Sequence, residues 1–456
     1  MIRRSLTLAL AVALTPLTSH AADLLQVYEM ARNGDTQLAA AESTRLFDKE
    51  GQVQARAALL PQIGGEASLT RNHSKYDSIA GAGGGSATTK TRSYGINGSQ
   101  TLFNWSQFAN LRAQRDVSKA ADFTLDSAND ELVVRTATTY FNVLVGIESL
   151  TAAETNEAAA KKQFDYADKR LEVGLAPITD MHEARAQYDQ ARANTILARN
   201  ALEDAYQALT ELTGQPVRDV RGLPVDFRPE VPANRGNVDQ LVTDAVGRNP
   251  ALKAQELQVS AAESNVSAAR GGHYPTLSLG GNWGKSARWG DNTGSASQTP
   301  DATTNAIGLT LNVPIFAGGA TQSGVRQALA RRDIAQDTFE QQKRALDRNT
   351  RNAYQALVAG ISEVEARRLT VVSAQSAYDA SQVGLEVGTR TVLDVVQNQR
   401  TLFQAQVDYA QSRYNFLLAR LQLSQAIGDL EISEVQDINR LLTVDASSKL
   451  QSNSAQ

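Results

Sequence analysis

Cysteine is absent from all 456 residues, which excludes disulfide staples, thiolate metal ligands and a thiol nucleophile. The same absence leaves a processed N-terminus without the thiol on which a lipid anchor is built. Histidine is scarce, and His20, His73, His182 and His273 lie too far apart in sequence to suggest a zinc site. The net charge is -4 and the 45 basic residues never gather into a block, so no nucleic-acid partner is expected. Beyond residue 21 no run of 18 apolar residues occurs, so any membrane segment has to be a strand. No nucleophile motif, metal cluster or phosphate loop is visible, which leaves an enzyme without residues to carry it and implies no cofactor.

What is present begins with an export signal. Arg3-Arg4, an apolar run from Leu6 to Leu17 and the small-residue end Ser19-His20-Ala21 form the three parts of a secretory leader. The span is too short to cross a bilayer as a helix and is expected to be removed near Ala21 or Ala22.

The rest of the chain is organised around two near copies, LEVGLAPITDMHEA at 171–184 and LEVGTRTVLDVVQN at 385–398. Gly174 and Gly388 are 214 residues apart, as are Asp180 and Asp394. Each time a long unbroken run stops at Val-Gly, a short turn follows, and a new helical pattern starts just before the Asp. Both copies read as closed tips of helical hairpins. Thr179 and Thr391 sit near the restarts, where a helix N-terminus favours the neighbouring carboxylate. One reading makes each Asp only a first-turn charge. The other notes that symmetric tips bring Asp180, Arg390 and Asp394 to one axial level, as an ion gate or charged lock requires.

In order, residues 24–60 read as a helix ending at Leu60-Pro61, with a possible break at Gly34-Asp35-Thr36. Alternating strands are expected at 62–71 and 93–103, separated by a flexible Gly/Ser-rich loop over 72–91. From Asn104 to about Leu171 there is no proline and one glycine, Gly146, so the helix approaches about 100 Å at 1.5 Å per residue. A helix over 180–213 stops at Gly214-Gln215-Pro216. The plan then repeats: a helix at 238–270, strands at 276–289 and 303–316, a long helix at 321–385 with Gly360 as its weak point, and a helix at 392–427. The expected divisions are a signal at 1–21, a first repeat at 22–222 with its tip near 174–179, and an inter-repeat segment at 223–237. A second repeat at 238–428, with its tip near 388–391, precedes a C-terminal segment at 429–456 whose polar tail is expected to be disordered.

Four strands cannot close a membrane barrel, because such barrels start at eight, and open edges in lipid would leave backbone groups unpaired. Oligomerisation is therefore required if these are membrane strands. Two copies give eight and three give twelve, and the pattern does not choose between them. A small soluble sheet is the alternative, opposed by strand length and by aromatics near strand ends at Tyr94, Phe103, Trp283, Trp289 and Phe316.

At this point the chain resembles a known family, the TolC-type outer membrane efflux and secretion proteins. The resemblance runs from Leu24 to about Leu442 through LLPQIG at 59–64, TATTYFNVL at 136–144, VGLAPITDMHEARAQYD at 173–189, VSAQSAYDA at 372–380 and VGTRTVLDV at 387–395. It implies an all-α-dominated α/β membrane channel built from an internally duplicated protomer. It further implies a homotrimer with a 12-stranded β-barrel in outer membrane lipid, continuous with a periplasmic α-helical barrel. The implied partners are a periplasmic adaptor (membrane fusion) protein and an inner-membrane pump of RND, ABC or MFS type, which supplies the energy.

Carried over position by position, Asp394 resembles the first aspartate of the family's constriction ring, which selects cations and binds blocking metal ions; no structural metal is implied. Arg390, Thr179 and Asp180 resemble the groups that link hairpins in the closed state. Two positions depart from the family pattern: Gln397 stands where a second ring aspartate is expected, and Leu385 where a gate tyrosine is expected. The gate is therefore expected to be less cation-selective, and to be held shut by Arg390 with Asp180 or Thr179. Gly174-Leu175 and Gly388-Thr389 are the expected adaptor contacts. A barrel-anchored structural or adhesive coiled-coil stalk without conductance is the alternative, but it leaves two matched charged tips unexplained.

Overall fold

The computed structural model describes residues 22–76, 85–230, 237–292 and 299–448. The expected signal at 1–21, residues 231–236 of the inter-repeat segment, the loop centres 77–84 and 293–298, and the tail from 449 lie outside the described residues. In chain order the first half contains α1 (Leu24–Gly34), α2 (Thr36–Ala57), β1 (Gln62–Tyr76), β2 (Gly85–Phe103), α3 (Trp105–Glu172), α4 (Ile178–Thr213) and β3 (Arg221–Gly222). The second half contains α5 (Val238–Arg248), α6 (Pro250–Arg270), β4 (Thr276–Asn292), β5 (Thr299–Asn312), α7 (Ala320–Glu386) and α8 (Val392–Ile427), followed by α9 (Ile432–Leu441) and β6 (Val444–Asp445). Two compact units emerge, and each draws on both halves. Of the described residues, one unit comprises those up to Ala40, those within Asp126–Asn249 and those from Arg344 onward; the other comprises those within Ala41–Leu125 and Pro250–Lys343.

The helix at 24–60 breaks at Asp35, within the Gly34-Asp35-Thr36 stretch where the sequence allows it, whereas the single helix expected at 238–270 is broken at Asn249. The cause is the same in both places. A short-helix joint passes the glycine that ends a hairpin: a Cβ on Gly34 would lie 2.4 Å from the Thr213 carbonyl oxygen, and one on Gly428 would lie 2.9 Å from the Arg248 carbonyl oxygen. Asp35 caps α2 by accepting from the Leu38 N–H at 3.0 Å and pairs with Arg135. The Asn249 amide donates to the carbonyls of Gln425 and Ala426 at 3.4 and 3.2 Å, and Pro250 opens α6, where its missing N–H costs nothing.

Gly360 is no weak point, for α7 runs through it unbroken. A Cβ there would sit 3.3 Å from the Phe416 ring, and one at Gly146, its counterpart in α3, 3.1 Å from Leu202 Cδ1. Each glycine lets the returning helix of its hairpin pack close.

The end of the first repeat and the start of the inter-repeat segment are held by both hairpins. β3 pairs antiparallel with β6, and Val220 bridges to Ala22. The buried Tyr140 hydroxyl accepts from Arg221 N–H at 2.9 Å and donates to Arg221 O at 2.7 Å, while burial raises its pKa. Arg413, 3% exposed, donates to Glu148 Oε2 at 2.5 Å and to Pro224 O at 3.2 Å.

In the second unit the four long strands form one antiparallel sheet in the order β1-β2-β4-β5. The strands exceed the lengths expected from sequence: of the expected loop over 72–91, residues 72–76 and 85–91 lie in the ladder, which reaches Tyr76↔Gly85. Conversely, the fourth strand ends at Asn312, short of Ile315. Register places Ile63, Leu69, Ile96, Trp283, Ile307 and Leu309 on one face and Glu66, Ser68, Ser93, Asn97, Asn282 and Thr304 on the other. Ile63 (79% exposed) and Ile307 (83%) lie on the edge strands of the apolar face. Among the described residues no helix is long and apolar enough to cross a membrane.

Candidate functional site

Both hairpin tips close with the same backbone device. At the end of α3 the Gly174 N–H donates to Leu171 O at 2.9 Å and the Leu175 N–H to Arg170 O at 2.8 Å. At the end of α7 the Gly388 N–H donates to Leu385 O at 3.2 Å and the Thr389 N–H to Gly384 O at 2.8 Å. Gly174 and Gly388 have φ of 76° and 77° with open space around them, so glycine is needed for the backbone angle and not for room.

The restarts differ. Before α8, Thr391 and Asp394 cap each other: the Asp394 N–H donates to Thr391 Oγ1 at 3.2 Å, and Asp394 Oδ2 accepts from the Thr391 N–H and hydroxyl, both at 2.9 Å. Arg390 Nη1 lies 3.9 Å from Asp394 Oδ1. These bonds from Thr391, backbone first and hydroxyl second, hold the Asp394 carboxyl below its ordinary range, with Arg390 adding less. α4 starts after Pro177 without a side-chain cap, and Thr179 Oγ1 lies 3.4 Å from Asp180 Oδ1. Here Arg170 does the bracing, through a bond to Leu175 O at 3.2 Å and a guanidinium 5.5 Å above the Tyr166 ring.

Just behind the tips the two hairpins meet. Ala167, Ala184, Val392 and Val396 form a buried cluster against which Phe164 and Leu385 pack. Leu385 therefore joins the hairpins through apolar contact. Further along, Gln399 is 7% exposed, and its Nε2 donates at 2.8 Å to both the backbone and side-chain oxygens of Asn156 in α3. Gln397, two residues nearer the tip, lines a polar groove of about 530 Å³ with Asn156, Asn194, Arg400 and Asp408. Among the described residues no bond joins Arg390 to Thr179 or Asp180 within one chain.

The model of one protein family, described as outer membrane efflux protein, matches residues 27–215 and again 241–429. The chain belongs to that family. Outer membrane protein TolC of Escherichia coli is 33% identical over 438 residues, covering 93% of this efflux-family chain and 86% of that protein. The alkaline protease secretion protein AprF of Pseudomonas aeruginosa is 25% identical, covering 91% and 86%. The Campylobacter jejuni CmeC outer membrane channel shares the fold, with a TM-score of 0.74 at 19% identity over 93% of this chain and 89% of that one. The efflux-family chain is thus an outer membrane protein with a channel-type fold.

For this efflux-family member, sequence reasoning missed three residues at the site. Arg170 reads as an ordinary helix-end cation. Gly384 reads as a helix glycine, yet a Cβ there would lie 2.6 Å from Arg390 Cγ, so its bareness seats the arginine stem. Its spacing four residues before Gly388 was the available signal. Gln399 carried no local signal, because its partner lies 243 residues away.

Proposed function

We propose that three copies of this chain form a passive outer membrane exit duct, shut at its periplasmic end by the two hairpin tips and driven by inner-membrane partners. The observation that carries this reading is the four-stranded sheet, apolar on one face and polar on the other, with β1 and β5 left as open edges. Pairing β5 of one copy with β1 of the next removes every edge and turns the polar face toward a water-filled lumen. Three copies supply twelve strands. The chain itself is read as a duplicated unit, 22–222 and 238–428, joined by 223–237 and closed by 429–456.

Arg390, Asp394, Gln397, Leu385, Thr179 and Asp180 form the gate in this reading. Within one chain Arg390 leans on Asp394, so its contact with Thr179 or Asp180 belongs between hairpins of neighbouring copies. Asp394 supplies one carboxylate per copy to the constriction, where polyvalent cations would also bind. Gly174, Leu175, Gly388 and Thr389 form the adaptor contact, beside exposed Val173, Ile178 and Val387. The adaptor is a periplasmic membrane fusion protein, and the pump is of RND, ABC or MFS type. Efflux of small molecules and type I protein secretion are the two services, and the chain performs no chemistry on what passes.

Single-channel conductance of the purified oligomer in planar bilayers tests this reading. Small, cation-preferring steps are expected; they lose their preference in Asp394→Asn and grow in Arg390→Ala. Silence in all three despite verified insertion would overturn the duct in favour of a closed stalk.

A further inference from the structure

The apolar face of the four-stranded sheet changes character along the strands. At the end from which α3 leaves it carries Ile63, Ile96, Leu279, Ile307 and Leu309, and the Tyr94 and Trp283 rings follow with centroids 6.4 Å apart. Beside and beyond these aromatics the same parity brings Arg71, Lys75, Lys90, Arg92 and Lys285 to this face. All but the half-buried Lys285 are exposed. The opposite face at that level carries Thr70, Asn72, Thr89 and Thr91, and its one cation among the described residues is Arg288. A sheet with water on its polar face alone would sort its charges the other way. Arg71 stands directly opposite Lys90 in the ladder, a placement that is destabilising for like charges. Arg92 reaches Asp301 at 3.3 Å and Asp291 shares the face by its register with Thr88, so five cations meet two carboxylates. Arg71, Lys75, Lys90 and Lys285 have no ion pair among the described residues.

Arg71 follows Ile63 by eight residues on β1, which is about 27 Å along the strand at 3.4 Å per residue and about 20 Å in height at a barrel tilt near 40°. The apolar band of such barrels is about 25 Å tall, so the cations begin where hydrocarbon ends. With the helices on the periplasmic side, that level is the outer leaflet. We propose that Arg71, Lys75, Lys90 and Lys285 form a belt that binds the phosphate groups of outer-leaflet lipid, of the phosphorylated disaccharide class. The inference rests on the barrel of the proposed duct, because it needs this face turned to lipid. A phosphate seated between Arg71 and Lys90 replaces their repulsion by two attractions, and the Arg71 guanidinium offers it a bidentate fork. Directly below on the same strands Leu69 and Ile96 receive acyl chains. A lipid is thereby held at both ends, whereas free phosphate would be held at one.

The test uses the purified oligomer in nanodiscs of neutral phospholipid, with bound lipid counted by native mass spectrometry. It is titrated with bis-phosphorylated lipid A, with the same lipid after phosphatase treatment, and with inorganic phosphate. Preferential uptake of the phosphorylated lipid is expected. Arg71→Gln/Lys90→Gln is expected to weaken that uptake about 25-fold, a factor of about five for each cation removed beside an anionic surface. The charge-keeping exchange Arg71→Lys/Lys90→Arg and the opposite-face Arg288→Gln are expected to bind as the unmodified protein does. Equal uptake of both lipids, or an equal loss in Arg288→Gln, would overturn the belt. So would displacement of the lipid by an equimolar amount of inorganic phosphate, which would leave only a patch for free anions. Conductance of the same preparations in planar bilayers keeps the two readings apart. Conducting oligomers without a phosphate preference would end the belt and leave the duct standing, whereas protein that never inserts would overturn both.

Discussion

Asp394 has two tasks that a single substitution confounds. Its carboxylate caps α8 through Thr391 and also faces solvent at the tip. Asp394→Asn keeps an acceptor oxygen for the cap and removes the charge; Asp394→Ala removes both. The expected outcome is that both variants lose cation preference, while only the alanine variant shows faster amide hydrogen exchange over residues 391–394. The lowered Asp394 pKa has a definite sign. The ionised cap is fully present above the ordinary carboxylate range and is lost as pH falls through the depressed folded-state value, so protection against exchange at this tip, relative to the unstructured chain at the same pH, is expected to fall only at distinctly acidic pH. Asp130 behaves in the opposite way. Burial, with the Asp126 charge adding less, pushes its pKa up to about 7. A raised carboxyl pKa contributes most below the unfolded value of about 3.9, and that contribution declines as pH rises toward 7. Asp130→Asn is therefore expected to melt above the unmodified protein at pH 8 and together with it at pH 4, as followed by circular dichroism in detergent.

Elements were legible in sequence where one residue type decides their ends. Gly174, Gly214, Gly388 and Gly428 all take positive φ at helix ends, and α8 spans the expected 392–427. The strands were read short because Ser86–Thr89 and Lys75 look like loop, although the ladder Lys75↔Ser86 to Arg71↔Lys90 pairs them regularly. A barrel-type sheet carries small polar residues on its lumen side, which weakens the alternation that reveals a strand. The joint at Asn249 escaped because its cause is distant: the carbonyls it caps belong to Gln425 and Ala426. The placement of Asp180, Arg390 and Asp394 beside the two hairpin turns was legible, whereas the Gln399–Asn156 bond shows only once α3 and α8 are side by side. The Arg413–Glu148 link makes its own prediction at this scale. Arg413→Leu alone is expected to cost roughly 3–5 kcal/mol by taking from the largely buried Glu148 its cationic partner, with the Tyr414 hydroxyl left at 3.4 Å, and Arg413→Leu/Glu148→Leu to recover most of it, measured by thermal unfolding.

For the whole molecule the sheet is the deciding part. Ile307 lies on edge strand β5, on the apolar face, paired with Gly281. Ile307→Lys is expected to cost about 2–4 kcal/mol if it sits at the bilayer midplane, and less near an interface. The readout is loss of the proposed oligomer from outer membrane fractions, followed by native electrophoresis, while the unit holding the hairpins keeps its helical circular dichroism. The open edges β1 and β5 also bear on inheritance. The proposed closed ring needs every copy to offer both edges, so in it one faulty copy spoils the sound ones it joins. A gene encoding a chain with a broken β5 edge but an intact β1 would therefore be dominant over a normal gene in the same cell, whereas a gene whose product never reaches the membrane would be recessive.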